Sequence, residues 1–246
     1  MKSILILLIA TVLLSIFWYP VIKDVEVVTP IDTSDTSVLL KSLNNQDLKA
    51  ISNDIEAIEY QLMLDKMESR PLSQRFKNAV VVGDSMVEAL SAYQVLPKKS
   101  VAGSIGKRAD NIYEQVDIAL KRKPKHLFLC LGLNDISSFR KYVNMFKDNY
   151  QALIDYIKDK DPQIKIYINS MIPLPKNTIK NHKEFKYIDE YNTALKQLCK
   201  ENKLQYIDNT SLIDLKKNQF ESDGIHPKYD YFKVWAKHMA NEAMLF

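Results

Sequence analysis

Glycine is nearly missing from this sequence, with 5 among 246 residues. The chain is also short of cysteine (2), histidine (4) and net charge (+4). Each shortage excludes something. Basic residues are scattered without a continuous stripe, so composition argues against a nucleic-acid partner. His126, His182, His226 and His238 lack ligand-pair spacing with acidic or cysteine neighbours, so no metal site and no cofactor are expected. Cys130 falls in a predicted strand and Cys199 on a predicted helix; two buried thiols are the expected reading, and a pair between them the alternative. No internal repeat or low-complexity block is found. The length suits one sizeable domain with extra segments rather than two full domains.

What is present begins with "MKSILILLIATVLLSIFWYPVIKD". The apolar run from Ile4 to Ile22 is broken only by Thr11, Ser15, Tyr19 and Pro20. At roughly 1.5 Å per residue it just spans a hydrocarbon core. Trp18 and Tyr19 stand at its far end, where aromatic rings favour the interface. No small-x-small cleavage site follows Ser15, and no cysteine lies nearby for lipid attachment. Residues 1–23 are therefore expected to be an uncleaved, single-pass transmembrane anchor in the cell membrane, with the body outside the cytoplasm. Lys2 and Lys23 flank the run on opposite sides, so orientation rests on weaker signals.

Residues 24–46, with Pro30 and "DTSDTS", read as a spacer. Over 47–70, apolar Leu48, Ile51, Ile55, Ile58 and Leu62 fall at alternating intervals of three and four, one stripe of an amphipathic helix. Packing on the main domain is the expected use of this helix, and a short coiled coil the alternative. From 71 to 246 the pattern is regular. "NAVVVGD", "KKSVAG", "HLFLCLGLND", "IKIYINSMIPL" and "LQYIDN" read as strands. Between and after them stand helical segments, among them "SFRKYVNMFKDNYQALIDYIKDK" as one long helix and "KYDYFKVWAKHMANEAM" at the end. Alternating strands and helices imply an α/β fold with a parallel sheet covered on both faces.

The five glycines then take on meaning. Gly83, Gly103, Gly106, Gly132 and Gly224 each follow a predicted strand or sit in a polar loop. Ligands bind beyond the carboxyl ends of parallel strands, so the glycines are expected to shape one site. "VVVGDSM" places Ser85 at a strand-to-helix turn, where free N–H groups favour developing negative charge. "GLND" brings Asn134, an amide donor, and Asp135 to the end of the third strand. "SDGIHP" supplies Asp223 and His226 before the last helix. A serine, an imidazole, a carboxylate and amide donors are the parts for nucleophilic acyl transfer. Taken singly, each has an ordinary use as a helix cap or a turn residue.

Four blocks, "GDSM" (83–86), "AGSIG" (102–106), "GLND" (132–135) and "DGIH" (223–226), resemble the SGNH hydrolases, also called the GDSL esterase/lipase superfamily. The resemblance runs from about residue 78 to the C-terminus. It implies a three-layer α/β/α sandwich of flavodoxin-like form with about five mainly parallel strands. It also implies Ser85 as nucleophile, His226 as base and Asp223 as the acid that orients it. The N–H groups of Ser85 and Gly106 and the side chain of Asn134 would form an oxyanion hole, supported by Asp84, Gly103 and Asp135. Met86 stands where leucine is usual, a volume-conserving change. The second block lacks an asparagine ahead of its glycines, which leaves Gly106 and Gly103 as alternatives for the donor.

An external body on an anchor implies a cell-envelope substrate. The expected activity is hydrolysis of an O-acyl ester, O-acetyl in the first place, on an envelope glycan. An acyltransferase would use the same residues, and a non-catalytic envelope-binding module would keep only the fold. A lipase is disfavoured because no long apolar lid segment is seen. The basic segment "PKNTIKNHKEFK" (175–186) is expected to be a solvated loop or, alternatively, a border of the active site.

Overall fold

A computed structural model describes residues 45–246. The expected membrane anchor and nearly all of the spacer lie outside the described residues. Among the described residues no helix is long and apolar enough to cross a membrane.

The chain divides into two units, residues 1–59 and 60–246. Helix α1 (Asn45–Glu68) crosses that boundary and contains the apolar stripe expected from the sequence. Leu48, Ile51, Ile55, Ile58 and Leu62 all lie in this helix and are 50–62% exposed.

The second unit runs α2 (Leu72–Arg75), β1 (Ala79–Gly83), α3 (Ser85–Ala92), β2 (Val101–Gly103), α4 (Tyr113–Leu120), β3 (His126–Cys130), α5 (Leu133–Phe139) and α6 (Val143–Lys160). It continues through β4 (Lys165–Asn169), α7 (Lys176–Asn181), α8 (Ile188–Asn202) and β5 (Gln205–Ile207) to α9 (Tyr229–Glu242). Among the described residues the five strands form one parallel sheet in the order β2-β1-β3-β4-β5. This is the α/β SGNH arrangement implied by the resemblance.

The elements follow from apolar spacing. Strand β1, "AVVVG", is buried at every position, as a central strand covered on both faces must be. Phe128 of β3 pairs in register with Tyr167 of β4, and their rings stack at 4.7 Å. Helix α6 buries Phe146, Tyr150, Leu153, Ile154 and Ile157, a stripe of helical period. Cys130 and Cys199 are both buried and free.

Three expectations are corrected. The long helix from Ser138 onward is two helices, broken at Arg140. Arg140 has φ +52, and its carbonyl accepts a hydrogen bond from the Tyr191 hydroxyl at 2.9 Å. No glycine or proline announces that break. Asn134 and Asp135 do not end a strand: the strand stops at Cys130, Gly132 turns the chain at φ +150, and both residues lie in the first turn of α5. Finally, the basic segment 175–186 is not a plain loop, because it forms α7 and a 3₁₀ turn over Lys183–Tyr187.

One close approach locks α3 against the sheet. Gly103 pairs with Gly83 across β1 and β2, and a Cβ on Gly103 would overlap the Glu88 backbone N and lie 2.8 Å from its Cα. Backbone cannot yield as a side-chain tip can. Gly103→Ala is therefore expected to destabilise the domain by about 1–3 kcal/mol, the range for overpacking. A lowered urea midpoint at constant denaturant slope is the measurement.

Candidate active site

Ser85 is the first residue of α3, directly beyond the carboxyl end of β1. Asp84 caps that helix, its Oδ1 accepting the Met86 N–H at 3.0 Å. Ser85 is thereby held at the positive end of a helix, half-buried, with its hydroxyl facing the C-terminal loop.

That loop is a tight excursion between α9 and the strand-side chain. Phe220 and Pro227 form an antiparallel bridge, Glu221 N–H donates to the His226 carbonyl at 2.8 Å, and Lys228 N–H to the Gln219 carbonyl at 2.8 Å. At its tip, Asp223 Oδ1 accepts the N–H groups of Ile225 (2.8 Å) and His226 (3.0 Å). Its other oxygen, Oδ2, lies 2.6 Å from His226 Nδ1. With a carboxylate there, Nδ1 carries the proton and Nε2 is left as acceptor. Nε2 sits 3.1 Å from Ser85 Oγ. The structure thus joins Ser85, His226 and Asp223 in one hydrogen-bonded chain, although 141 positions separate the serine from the histidine.

Electrostatics separates the carboxylates. Partial burial works to raise the Asp223 carboxyl, but the bonds from the His226 ring, from the His226 and Ile225 N–H groups, and the His226 charge outweigh it and hold it below its usual range. Asp84 is pushed up to about 6 by burial, against the Met86 N–H, the His226 charge and the Asn134 amide. Asp135 is fully buried and pushed up to about 7. Burial is the main cause there. Asp110 and Asp84 add to it, while the Ala109 N–H and Arg108 oppose it.

The candidate oxyanion donors are not equivalent. The N–H groups of Ser85 and Gly106 have no acceptor among the described residues. Asn134 Nδ2, by contrast, donates to Asp84 Oδ2 at 3.2 Å and to the Lys107 carbonyl at 3.1 Å. Both amide hydrogens are taken, so Asn134 is at the site but engaged. Gly106 stands at an exposed loop tip with φ +74, a conformation that favours glycine, while Gly103 belongs to β2 and serves packing.

Sequence reading missed three features. A cavity of about 40 Å³ lies beside the residues that flank Ser85; Met86, Leu133, Met171, Ile172 and Trp235 give it a largely apolar wall. Behind it, Asn169 Oδ1 accepts bonds from Asn209 Nδ2 (3.1 Å) and Trp235 Nε1 (3.2 Å). Those asparagines are far apart in the chain, and only the strand order makes them neighbours. The third feature is Thr178 of α7, whose hydroxyl donates to the Gly224 carbonyl at 3.1 Å, so the basic segment does border the His226 loop.

With this geometry in view, a sequence model of the GDSL-like lipase/acylhydrolase family matches residues 71–230. The chain belongs to that family. It is a hydrolase of the SGNH type. Solved structures of the same fold include a lipase/acylhydrolase from Enterococcus faecalis, 15% identical, covering 68% of this chain and 96% of that one with a TM-score of 0.53. A GDSL-like lipase from Bacteroides thetaiotaomicron is 16% identical, covering 75% and 98% with a TM-score of 0.51. A carbohydrate esterase family 3 protein from Talaromyces cellulolyticus is 14% identical, covering 68% and 95% with a TM-score of 0.52. At these identities the likeness shows the fold alone. No curated protein matches the sequence.

The buried Asp135 makes stability depend on pH with a definite sign. Its carboxyl rises from an ordinary 3.8 to about 7 on folding, so the folded state holds the proton more tightly than the unfolded chain. The stabilisation is complete below the unfolded value and is lost as pH rises through the folded one. Asp135→Asn keeps an oxygen for the Ala109 N–H and never ionises. It is expected to raise Tm, with a gain larger at about pH 8 than at about pH 4.5. Scanning calorimetry of both proteins at the two pH values gives the comparison.

Proposed function

We propose that this protein is a serine esterase that removes short O-acyl groups, acetyl first among them, from a cell-envelope glycan. The observation that carries the reading is the hydrogen-bonded chain from Ser85 Oγ through His226 to Asp223. On this reading Ser85 Oγ attacks the ester carbonyl while its proton passes to His226 Nε2. The Ser85 and Gly106 N–H groups receive the oxyanion, joined by Asn134 if it releases the Lys107 carbonyl. Collapse of the tetrahedral adduct breaks the ester C–O bond, and His226 returns the proton to the departing alcohol. Water then repeats the steps in reverse, leaving a free carboxylate and the regenerated serine. Asp223, held ionised, orients the imidazole and stabilises the imidazolium formed in each step.

Two features support the choice of substrate. The cavity of about 40 Å³ lined by Asp84 and Met86, the residues on either side of Ser85, is of a size for an acetyl group and not for a long acyl chain. Against the His226 loop, at Asp223 and Gly224, lies a groove of about 360 Å³ whose lining includes Asn177, Asn181, Asn218 and Gln219. Amides with paired donors and acceptors suit the hydroxyls of a sugar better than a lipid tail. A carbohydrate esterase shares the fold. The apolar run from Ile4 to Ile22 supports a single-pass anchor that would keep the enzyme at the envelope.

The test is a chromogenic ester series with wild type and Ser85→Ala. The variant is expected to lose at least about a thousandfold in kcat/KM for the acetyl ester. Wild type is expected to prefer acetyl over hexanoyl by about tenfold or more, since each unaccommodated methylene costs transition-state binding. Equal rates in the serine variant would exclude the mechanism, and a preference for hexanoyl would exclude the short-acyl assignment.

A further inference from the structure

Asn134 and Asp135 are consecutive, and both hold the same loop. Asn134 Nδ2 donates to the Lys107 carbonyl at 3.1 Å, and Asp135 Oδ1 accepts the Ala109 N–H at 3.0 Å. Between β2 and these two points lies the tip that carries the Gly106 N–H. The tip packs on little: Ile105 is 75% exposed, and no atom lies within 4 Å of where a Gly106 Cβ would stand. At its start the loop is tied by the Ser104 N–H to the Gly83 carbonyl at 3.1 Å. At its end the hydrogen bonds to α5 are those of Asn134 and Asp135, the Arg108 guanidinium lies over the Phe139 ring of α5 at 5.9 Å, and the Arg108 N–H bond to Asn111 Oδ1 at 2.8 Å is local to the loop.

We propose that Asp135 is a positioning residue for ester hydrolysis: it anchors the 104–109 loop to the first turn of α5 so that the Gly106 N–H stays over the Ser85 site. The inference rests on the oxyanion-hole reading above. The need for a second anchor follows from Asn134. Its two amide hydrogens are both spent, so it can turn to an oxyanion only by letting go of Asp84 or of Lys107. If Lys107 is released, the Asp135–Ala109 bond is the hydrogen bond left between the end of the loop and α5, beside the weaker contact of Arg108 with the Phe139 ring.

Burial fits this role. Asp135 is 0% exposed, Ala109 is 0% exposed, and Asp135 Oδ2 has no hydrogen-bond partner among the described residues. A carboxylate kept in so dry a place with one oxygen idle is expensive for stability alone. An amide would satisfy the loop equally well, because only Oδ1 is used. Asp135 touches no reacting atom and acts through the loop.

The experiment measures kcat and KM for a chromogenic acetyl ester in wild type, Asp135→Ala, Asp135→Ser and Asp135→Asn, with Ser85→Ala as the reference for background and calorimetry to establish folding. Asp135→Ala is expected to lose about tenfold to a hundredfold in kcat with little change in KM, the range for misplacing a donor that acts in the transition state. Asp135→Ser, whose hydroxyl is too short to reach the Ala109 N–H, is expected to lose similarly and stands in if the alanine variant does not fold. Asp135→Asn is expected to retain kcat within about threefold, because the acceptor remains. Folded alanine or serine variants with kcat within about twofold of wild type would overturn the proposal while leaving the esterase reading intact. So would an asparagine variant as slow as alanine. Failure of Ser85→Ala to abolish activity would instead overturn the esterase reading itself.

Discussion

In a parallel sheet ordered β2-β1-β3-β4-β5, the connection leaving β1 turns towards β2 while the one leaving β3 turns towards β4. The two connections diverge, and the crevice between them cannot be closed by either. Everything chemical here is arranged around that gap. The turn after β1 carries Asp84 and Ser85; the turn after β3 carries Asn134 and Asp135. They meet across it through the Asn134 bond to Asp84 at 3.2 Å. The loop after β2 meets this pair through the Lys107 carbonyl, and the loop before α9 brings the Asp223–His226 pair to Ser85.

Three carboxylates around this crevice are treated in three ways, and the differences are physical. Asp223 is partly exposed and takes hydrogen bonds on both oxygens, so it stays charged and can orient an imidazole. Asp84 is buried, yet the Met86 N–H, the nearby His226, its own N–H and the Asn134 amide draw it back towards ionisation. Asp135 is buried with a single donor and is raised furthest of the three. On the proposed mechanism, charge is thus kept beside the histidine that becomes a cation and discouraged at the two buried carboxyls. Environments that pull like groups apart in this way are what acid–base chemistry on a common scaffold requires.

How much of this was legible beforehand follows from what a sequence can encode. Ser85, Asp223 and His226 were readable because each sits in a short block bounded by glycine, and local spacing brings Asp223 to its own histidine. The parallel sheet was readable from runs such as "AVVVG" and "HLFLC". The boundary between β3 and α5 was not, because Cys130, Leu131 and Leu133 continue the apolar run and a buried helix start looks the same as a strand end. The break at Arg140 lacked any glycine or proline. Backbone acceptors leave no mark at all: nothing in the letter for Lys107 says that its carbonyl meets Asn134. The same holds for Thr178, whose bond to the Gly224 carbonyl depends on the path of the chain after β4.

The engaged state of Asn134 has a consequence for catalysis on the proposed mechanism. A neutral ester carbonyl is no better an acceptor than the Lys107 carbonyl already in place at 3.1 Å, so the bound substrate gains nothing by displacing it. An oxyanion is different, since charge-assisted bonds are roughly twice as strong as neutral ones. Only as negative charge builds on the substrate oxygen does it become worthwhile for the amide to leave Lys107. A donor that is occupied until the transition state adds to rate without adding to substrate affinity, which is the differential binding that catalysis needs. The exposed, weakly packed tip around Gly106 lets the Lys107 carbonyl yield, and the buried end of the same loop at Ala109 keeps that movement from dissolving the site.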